Sequence, residues 1–364
     1  MTSAAADHNS ALETLIKEEA RRLGFILAGV TVPDPPEHVS VFEGWLAEGR
    51  YGTMSYMSNE HSRTCRTNPG RLMPECKSIL VLATPYCNPG SLPVANGVGA
   101  GKARGMVAAY AWGDDYHDVL PQRMRALVRS IEEQVGRPIA SRCFTDSAPI
   151  LERDLAQRAG LGWIGRNTCL ISPRLGSYLL LSEILLDLEL EPDAPVATDH
   201  CGSCTRCIEA CPTACILPDR TLDARTCISY LTIELRGAIP ADLRPKISNW
   251  IFGCDICQMV CPWNRFSPPQ GDQAFGDRSS VAVPLLKDEL ALSPDEFRLR
   301  FRSSPIRRAK APGYLRNVAV AAGNSGDRQL LPVLRTIAAG GDPVAGEHSK
   351  WAIQHIAGGK PADD

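Results

Sequence analysis

The sequence predicts an α+β protein in three parts: an α/β domain over residues 1–195, a small cysteine-rich domain over 196–270 and an α-helical domain over 271–364. Three observations divide it so. Short apolar runs alternate with amphipathic stretches up to about residue 190. Eight of the 14 cysteines fall between Cys201 and Cys261 in ligand-like positions, whereas Cys65, Cys76, Cys87, Cys143, Cys169 and Cys215 show no ligand spacing. Beyond the Pro/Gly-rich stretch Ser267–Asp277, apolar residues recur at helical intervals only. A second linker signal, Glu191–Pro195, precedes the first cysteine run.

In the first part, Leu12, Leu15, Ile16, Ala20 and Leu23 mark a helix, with Ser10 and Glu13 as a capping box and Gly24 as a stop. Ser78–Ala83 is a short apolar run that suits a buried strand. Leu120, Met124, Leu127, Val128, Ile131 and Val135 form a second amphipathic helix, and Ile150–Ala159 a third, closed by Gly160. Thr168–Ile171 and Tyr178–Leu188 read as strands. In the tail, Leu315, Val318, Ala319 and Ala322, then Leu330, Leu331, Leu334 and Ile337, predict a helical hairpin, with a further helix through Ala352, Ile353 and Ile356.

Composition narrows the class. With 44% apolar and 22% charged residues, the chain is neither disordered nor fibrous, and 364 residues suffice for two or three domains. The net charge of -2 confines any nucleic-acid binding to a local patch. No apolar run reaches the ~18 residues of a membrane span; Tyr178–Leu190 is interrupted by Ser182, Glu183, Asp187 and Glu189. The first ten residues lack a basic and an apolar region, so no secretory signal is expected. A cytoplasmic location follows, where cysteines bind metal more often than they form disulfides.

Cys201, Cys204, Cys207 and Cys211, followed by Pro212, form C-x2-C-x2-C-x3-C-P, the bacterial ferredoxin run. Cys254, Cys257 and Cys261, followed by Pro262, form a second run short of one cysteine. In the swapped ferredoxin arrangement the last cysteine of each run serves the other cluster. One [4Fe-4S] cluster then takes Cys201, Cys204, Cys207 and Cys261, and the other takes Cys211, Cys254, Cys257 and one more. Cys227 is favoured over Cys215, which follows Cys211 by only four residues. Two structural zinc sites are the competing reading.

The first part carries no dinucleotide fingerprint. Gly160, Gly162 and Gly165 have the spacing, but a helix precedes them and strand-like residues follow. Asp115-Tyr116-His117 resembles the start of a D-x-H-x-x-G cobalamin motif, but position 120 is leucine, so a histidine-ligated cobalamin is not supported.

Several long segments carry a resemblance: Thr145–Thr168 (TDSAPILERDLAQRAGLGWIGRNT), Asp223–Glu234 (DARTCISYLTIE), Gly253–Arg265 (GCDICQMVCPWNR), Trp112–His117 (WGDDYH) and Leu315–Asn324 (LRNVAVAAGN). They resemble the epoxyqueuosine reductases, a cobalamin- and iron–sulfur-dependent tRNA-modifying family, over nearly the whole chain. The resemblance implies an N-terminal cobalamin domain like that of reductive dehalogenases, without a protein histidine on cobalt. It implies a double-cubane ferredoxin-like domain, with Cys227 as the extra ligand, and a HEAT-like helical domain that grips the anticodon arm. The implied reaction is two-electron reduction of the epoxide on the wobble base of tRNA, giving queuosine.

The same resemblance assigns residues. Asp146 matches the catalytic acid of a D-S-x-P-x-L-E motif; its plain reading is the N-cap of the following helix. Asp115, Tyr116 and His117 match a motif near the substrate, or are polar loop residues. Arg66, Asn167 and Ser229, with Asp146, are the expected corrin contacts. Family members often carry arginine where this chain has Ala109, with Arg104 a conceivable substitute. From Arg298 to Arg335, nine basic residues face one acidic one, a net charge of +8. Arg307, Arg308, Lys310 and Arg316 are its expected tRNA contacts, against the alternative of a solvated helix face. Trp263 and Asn264 could meet an RNA base or belong to the core. An external donor such as flavodoxin or ferredoxin is expected, and nothing requires more than a monomer. Two other functions compete: a corrinoid reductase of small molecules, which would need no basic tail, and a pure electron carrier, which would need no large N-terminal domain.

Overall fold

The computed structural model describes residues 3–86, 88, 103–276 and 278–358; Cys87 lies outside them. The first part contains α1 (Ser3–Arg22), β1 (Leu27–Thr31), α2 (Val39–Ala47), α3 (Glu60–Thr67), β2 (Ser78–Pro85), β3 (Met106–Val107), α4 (Tyr116–Val135), β4 (Ser141–Phe144), α5 (Glu152–Arg158), β5 (Trp163–Ile164), β6 (Leu170–Ile171) and β7 (Leu179–Leu186). The cysteine-rich part adds α6 (Arg206–Glu209), α7 (Ile228–Ile233), β8 (Trp250–Phe252) and α8 (Ile256–Met259). The tail holds α9 (Ser279–Ala282), α10 (Leu286–Leu290), α11 (Pro294–Arg300), α12 (Lys310–Ser325), α13 (Leu331–Ala339) and α14 (Pro343–Gly358).

An antiparallel sheet of order β1-β2-β7-β4 organises the first part. Its central strand β2 is buried along its whole length, because both faces are covered. Leu80 and Leu82 point into a core with α1 and α4, while Ile79, Val81 and Ala83 point into a second core with α5. That is why Ser78–Ala83 reads as an unbroken apolar run rather than an alternating one. The period of α4 is as expected: Leu120, Met124, Leu127, Val128 and Ile131 are buried, and Gly136 ends the helix at φ 72°.

Two helix starts differ from expectation. α1 begins at Ser3 and runs through Ser10, so the capping box is not used. α5 begins at Glu152 with Leu151 in the cap position, so Asp146 is not its N-cap. Asp146 instead occupies left-handed backbone space at φ 54°.

The parts are stitched together. β3 pairs in parallel with β8, and one apolar core runs from Ile16 in α1 to Ile356 in α14. The predicted tail hairpin forms as α12 and α13, followed by α14. α12 lies in the middle of the tail, with Val318 to Ala322 all fully buried.

Burial of α12 corrects one expectation. Arg316 has no exposed surface. Its guanidinium donates to the carbonyls of Leu231 (2.6 Å), Leu235 (2.8 Å) and Gly237 (2.7 Å) and to Asn317 Oδ1. It therefore anchors α7 and the loop after it, and does not reach a phosphate. No helix among the described residues is long and apolar enough to cross a membrane.

Candidate active site

The turn into α4 builds one side of the site. Gly113 allows a close approach here, since a Cβ would lie 2.4 Å from the Ala274 carbonyl. Asp115 caps α4: its Oδ1 accepts the His117 N–H at 3.1 Å and lies 2.8 Å from His117 Nδ1. Its own N–H donates to Ser303 O at 3.1 Å, and Arg307 Nε approaches its Oδ2 at 3.6 Å. Burial would raise the pKa of Asp115, but the His117 bonds and the Arg307 charge outweigh it, so this carboxyl is lowered.

The other side is the turn between β4 and α5. Tyr116 donates its hydroxyl to Asp146 Oδ2 at 2.6 Å, and its ring stacks on His117 at 4.1 Å. His117 Nε2 lies 3.8 Å from the same Asp146 oxygen. Burial opposes protonation of His117, but the Asp115 bond and the charges of Asp115 and Asp146 win and raise its pKa. Burial keeps Tyr116 a neutral donor, its pKa well above the ordinary value. The Asp146 side chain is 64% exposed, so the carboxyl held by these groups faces outward. Such an arrangement can deliver a proton to a bound molecule.

The cysteines of the two runs lie close enough to act on one another. Burial raises the pKa of both Cys207 and Cys261, with Cys201 adding to each and Cys204 to Cys261. Cys254 is raised by burial, with Cys227 and Cys211 contributing, and Cys257 responds to Cys169, burial, Cys254 and Cys227. Cys261 is thus near Cys201 and Cys204, but Cys169 bonds to Cys257 and also acts on Cys261, so these contacts alone do not divide the sulfurs between two clusters. Each run contains a one-turn helix, α6 or α8, and exits through a Cys-Pro step. These sulfur-only donor sets fit cubane clusters. Cys215 is buried with its Sγ 3.5 Å from Cys211 Sγ, so proximity alone does not separate it from Cys227.

Two family descriptions match the chain: "4Fe-4S double cluster binding domain" over residues 200–264 and "Epoxyqueuosine reductase QueG, DUF1730" over 66–147. The epoxyqueuosine reductase of Pseudomonas aeruginosa is 42% identical over 342 residues, 93% of each chain. That of Escherichia coli is 39% identical over 339 residues, 93% of this chain and 88% of the other. The chain belongs to the epoxyqueuosine reductase family. An epoxyqueuosine reductase solved with an epoxyqueuosine-modified tRNA-Tyr stem loop superposes with TM-score 0.86 at 31% identity, covering 96% of this chain and 91% of that one. A Bacillus subtilis epoxyqueuosine reductase, solved with its catalytic aspartate loop swung out of the active site, gives 0.83 at 31% identity over the same shares. The double-cluster match decides the cysteine chemistry for iron–sulfur over zinc.

The remaining residues expected from the epoxyqueuosine reductase resemblance divide. Arg66 is buried in α3, its Nη1 3.5 Å from Ser62 O and its guanidinium 5.9 Å from the Phe42 ring centroid. Burial lowers its pKa, and Tyr56 and Glu152 act on it from the side of the Asp146 turn. Asn167 is buried with Oδ1 on the Cys169 N–H and with Nδ2 lacking a partner among the described residues. Ser229 is half-buried beside Cys227, whose sulfur its N–H faces. A buried cation and an orphaned amide fit a cofactor rich in amide and phosphate groups, such as cobalamin.

Of the tail cations, Arg307 (58% exposed) stands at Asp115, and Lys310 is exposed where α12 starts. Arg308 forms a two-pronged pair with Glu234 at 2.9 and 3.0 Å and covers the Tyr56 ring. Arg298 and Arg300 are paired with Asp295 and Glu289, so much of the basic run is neutralised locally. Asn264 is buried, bound to Ser177 and Gln258, and does not meet an RNA base. Trp263 packs against Trp163 at 5.0 Å. Ala109 is fully buried, with its N–H on Asp255, and Arg104 is bound to Val283 O.

Sequence reasoning passed over three groups at the site. Tyr110 packs edge-on to Tyr116 at 6.1 Å. Glu152 accepts the Asp146 N–H, and Glu183 lies fully buried behind it. Glu183 had a visible signal: it is the only charge in the otherwise uncharged β7 run LLLSEILL.

Proposed function

We propose that this chain reduces the epoxide of epoxyqueuosine at the tRNA wobble position to the alkene of queuosine. The balanced change adds two electrons and two protons, breaks both C–O bonds and releases the oxygen as water. The observation that carries this reading is the outward-facing Asp146 carboxyl, held by Tyr116 and His117, in a fold that superposes on a reductase bound to the modified stem loop.

In this reading Asp146 is the proton donor to the departing oxygen. Tyr116 orients its carboxyl, and His117, with its pKa raised beside Asp115, supplies positive charge to the developing alkoxide. Asp115 holds the His117 ring by Nδ1. Arg66, Asn167 and Ser229 are the residues that would hold cobalamin, with Asp146 at its edge. When bound, cobalamin supplies a low-valent cobalt centre able to pass electrons to carbon.

Electrons arrive from an external flavodoxin or ferredoxin. Cys201, Cys204, Cys207 and Cys261 would hold one [4Fe-4S] cluster and Cys211, Cys227, Cys254 and Cys257 the other, and the pair would supply single-electron relay. Arg307 and Lys310 take anticodon-arm phosphates, with Arg308 beside them, and the enzyme works as a monomer in the cytoplasm.

The test is anaerobic incubation of the reconstituted protein with epoxyqueuosine-containing tRNA and a strong reductant, with and without cobalamin. Nucleoside mass spectrometry then reads the loss of one oxygen mass. Conversion in the presence of cobalamin alone supports the reading; no conversion with both clusters assembled defeats it.

A further inference from the structure

Glu183 is the one acidic side chain of β7 and is fully buried. It sits in mid-sheet, paired in register with Val81 of β2 and Phe144 of β4. Among the described residues neither of its carboxyl oxygens has an N–H or hydroxyl partner, and the group that faces it is the Glu152 carboxyl. Two carboxyls can bond to each other only if one of them carries a proton. The full burial of Glu183 demands the same, since a second carboxylate beside a buried one raises its cost further.

The outer member of the pair reaches the site. Glu152 Oε1 accepts the backbone N–H of Asp146 at 2.5 Å. Asp146 needs that support, because at φ 54° a non-glycine residue occupies left-handed backbone space. Three further bonds shape the turn: Thr145 Oγ1 to Leu181 O (2.8 Å), Ser147 N to Thr145 O (2.6 Å) and Tyr116 to the Asp146 carboxyl. Among the described residues only Glu152 accepts the Asp146 N–H.

We propose that Glu152 and Glu183 share one proton and act as positioning residues that latch the Asp146 turn in the arrangement that bonds to Tyr116. Protonated Glu183 donates to Glu152, which leaves the Glu152 charge on the oxygen facing the Asp146 N–H, where it makes a charge-assisted bond. Arg66 and Arg153 supply the nearby positive charge that a single anion requires. Burial, then the charge of Asp146, raises Glu152 to about 7, and burial with Glu152 raises Glu183 well above the ordinary value. The latch rests on the reading of Asp146 as proton donor, but its structural half can be tested apart from it.

Three variants decide the matter, each assayed for kcat and KM on modified tRNA and for amide hydrogen exchange across residues 145–151. Glu183→Gln supplies an N–H donor in place of the carboxyl proton and keeps kcat within about twofold and exchange unchanged. Glu183→Leu leaves Glu152 without its donor, speeds exchange in the turn and lowers kcat roughly 10–100-fold, with KM for tRNA unaltered. Glu152→Gln, which tests the latch if the leucine variant does not fold, loses the charged acceptor and shows the same two effects. Unchanged exchange in both Glu183→Leu and Glu152→Gln would overturn the latch. A Glu183→Gln enzyme as slow as Glu183→Leu would overturn it differently, by showing that the proton itself is consumed. Full activity of Asp146→Asn would sink the proton-donor reading while leaving the exchange result to judge the latch.

Discussion

Tyr116 and Asp146 are joined by a 2.6 Å hydrogen bond across two turns that meet only in the folded chain. One turn starts α4 and the other leaves β4. The bond fixes a mostly exposed carboxyl in place, since a buried phenol stays protonated and donates. Asp146→Asn keeps this hydrogen bond and removes the transferable proton. Conversion of modified tRNA should fall by about 10²–10⁴-fold, the usual contribution of a general acid. Tyr116→Phe should fall less, and thermal melting should move little for either variant.

The close approach of Cys215 to Cys211 makes the ligand choice testable. With Cys227 as the ligand, Cys227→Ala loses one of the two clusters and about half of the iron, whereas Cys215→Ala keeps both. Iron analysis and electron paramagnetic resonance of the reduced protein read the difference. Loss of a cluster in Cys215→Ala alone would exchange the two roles.

Arg316 and Arg307 should behave oppositely. Arg316→Met leaves three buried carbonyls without their donor, at roughly 1–3 kcal/mol each, and should lower the melting temperature sharply. Arg307→Ala should leave stability alone and weaken stem-loop binding, with the salt dependence reduced by about one charge. Normal melting of Arg316→Met would remove the case for Arg316 as an anchor.

These two arginines also mark what was legible in the sequence. The periodicity of α4, the doubly covered β2 and the cysteine spacings are local patterns, and each read through to the fold. Arg316 stands in a run of positive charge, and a run says nothing of the carbonyls from Leu231 to Gly237 that α12 meets. Asp146 precedes a helix with the chemistry of a cap, yet the helix starts six residues later. Glu183 was visible as a charge in an apolar strand, but its partner Glu152 comes from another element. Tertiary contact decided all three.

Acid should loosen the tail. His348 is fully buried and neutral, with Nε2 accepting the Ile239 N–H at 3.0 Å and Nδ1 on Val344 O at 2.7 Å. Burial pushes its pKa down to about 4. The unfolded chain takes up this proton near pH 6.5 and the folded chain only near 4. Stability from this group is thus complete above 6.5 and drains as pH falls toward 4, by roughly 3 kcal/mol. Melting temperatures between pH 7 and 4 should show the loss, and His348→Gln should flatten it.

Asn317 of α12 donates to Ile251 O at 2.9 Å and to Thr232 O at 2.7 Å, so it clamps β8 and α7, the elements that carry the chain toward Cys254 and away from Cys227. This gives a helix outside both cysteine runs a part in shaping the ground on which those runs stand. Removing the tail would therefore mix any loss of the proposed RNA contacts with a loosened cysteine region, and point substitutions on its outer surface would separate the two where truncation would not.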